Sequence, residues 1–199
     1  MDDHATCDFP ECAANRWGVA PLGPDGYRRA ERVAAFRYLQ ALDRRPLVFD
    51  GGLGTEIQKL HLTADDYGGR DHEGCPEVLV ATRPEAIAGI HRAYLAAGAD
   101  VIETCSFGAL PSVLAEYGLA DRAAELALAA AALARREAGP DRFVAGSLGP
   151  GRRLPSLGQV TWEELWDDYL VAAGALVAGG VDLVLIETCQ DILQVRCAV

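Results

Sequence analysis

Ala97-Gly-Ala-Asp-Val-Ile-Glu-Thr104 returns, slightly altered, as Gly180-Val-Asp-Leu-Val-Leu-Ile-Glu-Thr188. Each copy has a Gly, an Asp, an unbroken apolar run and a closing Glu-Thr. An apolar run of this length without alternation is a strand buried on both faces, as in a parallel sheet covered by helices. Glu103 and Glu187 stand 84 residues apart, the length of two β-α units of about 42 residues. That period predicts equivalent strands of one sheet or barrel.

Working outward, two more runs have the same character. Leu47-Val48-Phe49 predicts a buried strand, and Asp50-Gly51-Gly52 a tight turn of glycines with positive φ. Phe143-Val-Ala-Gly146 predicts another strand, ending in Ser147-Leu-Gly-Pro-Gly151. Between the strands lie helical patterns. Thr82-Arg83-Pro84-Glu85 has the form of a capping box, followed by a helix with Ile87, Ile90, Tyr94 and Leu95 on one face and a stop at Gly98. An Ala- and Leu-rich stretch over about 109–138 is broken near Gly118 and closed by Pro140. Thr161-Trp-Glu-Glu164 is a second capping box. Its helix turns Leu165, Tyr169, Ala173, Leu176 and Val177 inward and ends at Gly179-Gly180, with Trp162 and Trp166 as packing residues. A last helix begins near Asp191. Residues 60–81, around Tyr67-Gly68-Gly69-Arg70, form a polar excursion.

The order is four β-α units over residues 46–199. Four units make half of an eight-stranded barrel or a whole doubly wound sheet. No strand is followed by a Gly-x-Gly-x-x-Gly turn, and the strand ends favour the barrel. Residues 1–45 form an N-terminal extension punctuated by Pro and Gly, with a helix over 28–42 carrying Val33, Phe36, Leu39 and Leu42.

With 29 acidic against 18 basic residues, the formal charge is −11, which opposes binding to phosphate backbones and excludes nucleic acid as an expected partner. No apolar run approaches the ~20 residues of a membrane span, and no basic-then-apolar leader opens the chain, so a cytoplasmic protein is expected. The six cysteines are scattered, unlike a disulfide scaffold. Cys7 and Cys12 form an isolated C-x4-C, a weak metal signal.

In a parallel barrel the functional groups sit at the C-terminal ends of the strands. Here those ends carry Asp50, Glu103-Thr104, Ser147 and Glu187-Thr188. Converging carboxylates can hold an ammonium group or a metal or do acid–base work; they can also cap helices and brace the rim. The glycines after Asp50 can admit backbone amides to a ligand or simply shape the turn. Cys105 and Cys189 follow matching Thr residues. No His stands near them in the pattern, so small buried fillers are favoured over nucleophiles.

The strand ends Leu47-Val-Phe-Asp-Gly-Gly-Leu-Gly-Thr-Glu56, Ala99-Asp-Val-Ile-Glu-Thr-Cys-Ser-Phe-Gly108, Val144-Ala-Gly-Ser-Leu-Gly-Pro150 and Asp182-Leu-Val-Leu-Ile-Glu-Thr188 resemble, in order and spacing, the homocysteine S-methyltransferase family. Leu154-Pro-Ser-Leu-Gly-Gln-Val160 resembles its methionine synthase branch. The resemblance implies the first half of a TIM (β/α)8 barrel that binds homocysteine at its mouth. It implies Asp50 and Glu187 on the substrate ammonium, Gly51 and Gly52 beside the substrate, and the segment from Thr104 to Phe107 lining the pocket. It also implies a zinc ion, held by three cysteines from the second half-barrel beyond Val199, which makes the substrate thiol a thiolate. No catalytic or metal-binding residue is therefore expected within this chain, which should be inactive alone. The methyl donor implied is methylcobalamin on another module, recharged by methyltetrahydrofolate, so pterin and cobalamin modules are expected partners. Cys105-Ser106 departs from the family, whose members commonly carry Asn-Thr there. The competing reading is a non-catalytic half-barrel that binds an amino acid or serves assembly.

Overall fold

The acidic residue that opens each repeated segment ties its strand to the strand before it. In the computed structural model, which describes residues 37–199, β1 (Val101–Glu103), β2 (Phe143–Leu148) and β3 (Leu183–Ile186) form a parallel sheet in the order β1-β2-β3. Asp100 donates its backbone N–H to Val48 O (2.7 Å) and accepts the Val48 N–H on its carboxylate (3.0 Å). Asp182 does the same one unit later, with Val144 O at 2.8 Å and Val144 N at 2.7 Å. Each carboxylate is also paired with arginine: Asp100 with Arg45 and Arg142, Asp182 with Arg135. The repeat in the sequence is thus a repeated clip at the N-terminal edge of the sheet.

The first predicted strand is reduced to one bridge, Phe49 with Val101. Val48 is 58% exposed, not buried as expected. Leu47 and Phe49 face the apolar cluster of Val101, Phe143, Ala145, Leu183 and Leu185. Val48 alternates to the other side, at the edge of the sheet, where no described element covers it.

Helices cover the opposite face. The helices are α1 (Leu53–Lys59), α2 (Leu79–Thr82), α3 (Pro84–Ala97), α4 (Pro111–Leu114), α5 (Ala123–Ala138), α6 (Trp162–Ala178) and α7 (Ile192–Ala198), with short 3-10 turns between; α3, α5 and α6 pack on the strands, and α1, α2, α4 and α7 pack on those three. Alanines 124, 127 and 131 of α5 let it approach Ala175 and Leu176 of α6 closely; a Cβ on Gly179 would fall 2.4 Å from Ala131 Cβ. Each fully buried leucine in these layers, such as Leu126 and Leu176, contributes roughly 1.5–3 kcal/mol of hydrophobic stabilisation.

The two predicted capping boxes part company. Thr161 and Glu164 form theirs at the head of α6. Thr82 does not: residues 79–82 are themselves a helical turn, its hydroxyl donates back to Val78 O (3.3 Å), and Arg83 stands at the N-cap of α3 without a side-chain bond. An unforeseen box, Asp191 with Gln194, starts α7. The polar excursion ends earlier than expected, since Cys75, Val78 and Leu79 are buried in the core. Trp162 and Trp166, expected to pack, are 41% and 42% exposed; they flank the buried face of α6 made by Leu165, Asp168, Tyr169, Ala172, Ala175 and Leu176. Residues 37–44 are helical and lie under the sheet, with Tyr38 edge-on to Phe143 at 5.4 Å. The rest of the predicted 28–42 helix, Cys7 and Cys12 fall outside the described residues.

Candidate active site

Side chains alternate along a strand, so residues two apart share a face. Val101, Phe143, Ala145, Leu183 and Leu185 occupy the face of the sheet opposite α5 and α6. By alternation Glu103, Ser147 and Glu187 continue that face to the C-terminal ends of β1, β2 and β3. There Ser147 Oγ donates to Glu187 Oε1 at 2.5 Å. Asp50 joins them from the neighbouring segment, its Oδ2 accepting the Glu103 backbone N–H at 3.0 Å. Three carboxylates from three chain segments therefore meet at one edge.

Their electrostatics are unfavourable without a cation. Burial pushes Asp50 up to about 6, with the Glu187 charge adding to it and two backbone N–H bonds working against it. Burial pushes Glu103 up to about 7, and the charges of Glu187 and Asp50 add to the rise. Asp50 Oδ1 is buried and has no hydrogen-bond partner. Such an atom costs about 1–3 kcal/mol unless a donor reaches it. A cationic group with several N–H donors meets that need.

The other expected site residues are placed unevenly. Gly51 and Gly52 are exposed beside Asp50. Neither has positive φ, contrary to expectation, because Gly52 serves as the N-cap of α1 rather than the corner of a tight turn. What Gly51 provides is clearance: a Cβ there would lie 3.1 Å from Tyr94 Oη. Thr104 is 2% exposed and its hydroxyl is occupied, accepting from Ser147 N (2.9 Å) and bonded to Ser106 Oγ (2.6 Å). It braces the strand ends from behind instead of facing the edge. Phe107 is 44% exposed and borders a cavity of about 360 Å³ with Pro150, Gly151, Arg152, Thr188 and Gln190 among its walls. Thr188, directly after Glu187, has φ 57°. A β-branched residue in the left-handed region is strained by about 1–3 kcal/mol, a cost concentrated at functional sites.

Sequence reasoning missed two supports. Glu77, 6% exposed, accepts the Gly108 N–H (2.7 Å) and the Cys75 thiol, and so holds the loop that carries Phe107. It lies inside what read as a polar excursion and has no motif to mark it. Arg152, at the cavity wall, is paired with exposed Glu116; one arginine in a loop offers no signal.

Among the described residues no group of three or more His, Cys, Asp or Glu is arranged to hold a metal. Burial pushes the Cys75 thiol up to about 12 and the Cys105 thiol well above its ordinary value. Cys105, with its thiol on Pro76 O, is the buried filler that the pattern favoured. Cys189, half-buried beside the Glu187 carbonyl, is likewise shifted up by burial. None of these is a ready thiolate.

The chain matches the homocysteine S-methyltransferase family over residues 47–199. It is 46% identical over 167 residues to methionine synthase of Mycobacterium tuberculosis (strain ATCC 25618 / H37Rv), covering 81% of this chain and 14% of that protein. It is 44% identical over the same length to methionine synthase of Mycobacterium leprae (strain TN), with the same coverage. The chain therefore spans about a seventh of these relatives. Its fold resembles the metallated homocysteine methyltransferase MmuM from Escherichia coli, with TM-score 0.64 and 24% identity over 82% of this chain and 60% of that one. The oxidized form of MmuM gives 0.63 at 24% identity, over 78% and 57%. At that identity the likeness is one of fold, and it agrees with the α/β order of a parallel sheet backed by helices. The family match covers well over half of the sequence, and the chain belongs to the homocysteine S-methyltransferase family.

Proposed function

We propose that residues 46–199 are the homocysteine-binding part of a methionine synthase-like methyltransferase, the first four β-α units of an eight-stranded barrel, with residues 1–45 as an extension. Asp50 and Glu187 take the substrate ammonium. Gly51, Gly52 and Phe107 border the substrate, and Thr104 holds the strand ends in register behind it. What carries this reading is Asp50 Oδ1, a buried oxygen with no partner at the strand ends of a chain from this family. The free oxygens are pre-aimed. Asp50 Oδ2 is held by the Glu103 N–H and Glu187 by Ser147 on Oε1 and, at 3.4 Å, by the Thr188 hydroxyl on Oε2, which leaves Asp50 Oδ1 and the second lone pair of Glu187 Oε2 for the ligand. Charge-assisted bonds of this kind are roughly twice as strong as neutral ones.

In the complete protein, a zinc ion would make the substrate thiol a thiolate nucleophile, and the product would be methionine. The described thiols do not fit that ion: Cys75, Cys105 and Cys197 are buried and Cys189 half-buried, all are shifted upward, and they are not gathered in threes. No step assigned to these residues runs through it. Methylcobalamin, recharged by methyltetrahydrofolate on further modules, is the donor we infer, in the cytoplasm. Among the described residues no helix is long and apolar enough to cross a membrane.

Calorimetry with L-homocysteine and with its desamino analogue, the same thiol acid without the amino group, tests the ammonium site. Homocysteine should bind and the analogue should not. Asp50→Asn should weaken homocysteine by about 10- to 100-fold, the worth of one hydrogen bond to a charged group. Equal binding of both ligands would overturn the assignment.

A further inference from the structure

We propose that Glu103 is the third carboxylate of the amino-group site, and that it holds a proton in the free protein and releases it to solvent as the ammonium enters. This rests on the ammonium reading above and deepens it. The geometry starts from the strand positions. Glu103 sits between Asp50, on the segment beside β1, and Ser147 and Glu187 on β2 and β3, and it shares their face. Adjacent strands lie about 4.8 Å apart, so its carboxylate stands within two strands of each of the other two. Asp50 has one oxygen and Glu187 both oxygens tied by neighbours, whereas among the described residues no hydrogen bond or ion pair engages the Glu103 side chain. Among the described residues no lysine, arginine or histidine forms an ion pair with any of the three.

Three carboxylates on one half-buried edge cannot all ionise cheaply, because like charges at short range raise the affinity for a proton. Glu103 has the least to lose by keeping one. Among the described residues it is the carboxylate with no N–H or O–H donor, and burial, with the charges of both neighbours added, pushes its proton affinity up. An ammonium brings one positive charge and three N–H donors. Exchanging the proton for it leaves the net charge of the edge unchanged and gives each carboxylate one donor. The proton passes to water or buffer; no bond to carbon or sulfur changes. Glu103 thereby becomes a positioning residue for the third ammonium hydrogen.

The test is calorimetry of L-homocysteine binding to the full chain in buffers of different ionisation enthalpy, which counts protons released. With Glu103 titrating at about 7 and Asp50 at about 6, about half a proton per ligand should leave at pH 7 and more at lower pH. In Glu103→Gln the release at pH 7 should fall to roughly a tenth, the remainder coming from Asp50, while binding persists. Binding without proton release, or release unchanged in Glu103→Gln, overturns the proposal and leaves the ammonium site standing. If homocysteine does not bind at all, the ammonium reading fails. Carbon-13 NMR titration of the free protein then decides the remaining claim, with the Glu103 signal identified by its loss in Glu103→Gln. A midpoint near neutrality upholds the held proton, and one in the ordinary carboxylate range refutes it.

Discussion

His91 should make the protein acid-sensitive by a known amount. Its ring is fully buried on α3, and neither ring nitrogen has a partner. Burial lowers its proton affinity from the ordinary 6.5 to about 4, with the nearby Glu137 charge opposing only part of the effect. A histidine depressed in the fold is neutral there and protonated in the unfolded chain, so stability is full above about pH 6.5 and drains as pH falls toward 4. The drop corresponds to roughly 3 kcal/mol, at about 1.4 kcal/mol per tenfold change. Asp50 and Glu103 titrate the other way, because their raised values stabilise the fold as pH falls through about 7 and 6. They would mask the histidine in a single protein. The perturbation is therefore His91→Leu, compared with the parent by urea unfolding from about pH 7 to about pH 4, so that the carboxylate contribution common to both cancels. At pH 7 the variant should be more stable by about 2 kcal/mol, since two unpartnered buried nitrogens are gone. By pH 4 the gap should widen by about 3 kcal/mol. A gap constant across that range would show that His91 is solvated or hydrogen-bonded, and would refute the reasoning.

Three further outcomes follow from the packing. Thr161→Ala removes the working capping box of α6 and should cost about 1 kcal/mol in denaturant unfolding, whereas Thr82→Ala, at the box that does not form, should cost under about 0.5 kcal/mol. Asp182→Ala strands the Val144 N–H and the part-buried Arg135 guanidinium and should cost about 3 kcal/mol in the same assay. Gly149→Ala places a Cβ 2.5 Å from Phe107 O and within 3 Å of the Phe107 ring. It should destabilise by about 2 kcal/mol and weaken homocysteine binding by displacing that loop.

The parts of this fold that were legible are those coded by neighbours in sequence. The apolar runs of β2 and β3, the break at Gly118 and the Thr161–Glu164 box depend on residues within one turn or one strand, and each forms in place, although β3, read as buried on both faces, is only half-buried along its length, with no described strand beyond it. Thr82-Arg83-Pro84-Glu85 carries the same letters as a box, but the preceding residues had already coiled into α2 and turned the hydroxyl backward. Thr104 and Thr188 occupy matching points of the repeat and part in three dimensions: one is walled in by Ser106 and Ser147, the other is exposed at φ 57°. The strand-clipping role of Asp100 and Asp182 depends on Arg45, Arg142 and Arg135, far off in the chain, and no local pattern announces such partners. The carboxylates at the strand ends were visible as a set. The isolation of Glu103 among them was not, because it follows from which oxygens Ser147 and the backbone happen to occupy.

The central claim is that the strand-end carboxylates bind the amino group of homocysteine. A crystal structure of the chain with L-homocysteine tests it most directly. The account predicts the ligand nitrogen within hydrogen-bonding distance of Asp50 Oδ1 and of Glu187, with the thiol directed away from them. Density for the amino group elsewhere, such as in the cavity walled by Phe107 and Arg152, with the three carboxylates left unpartnered, would contradict it.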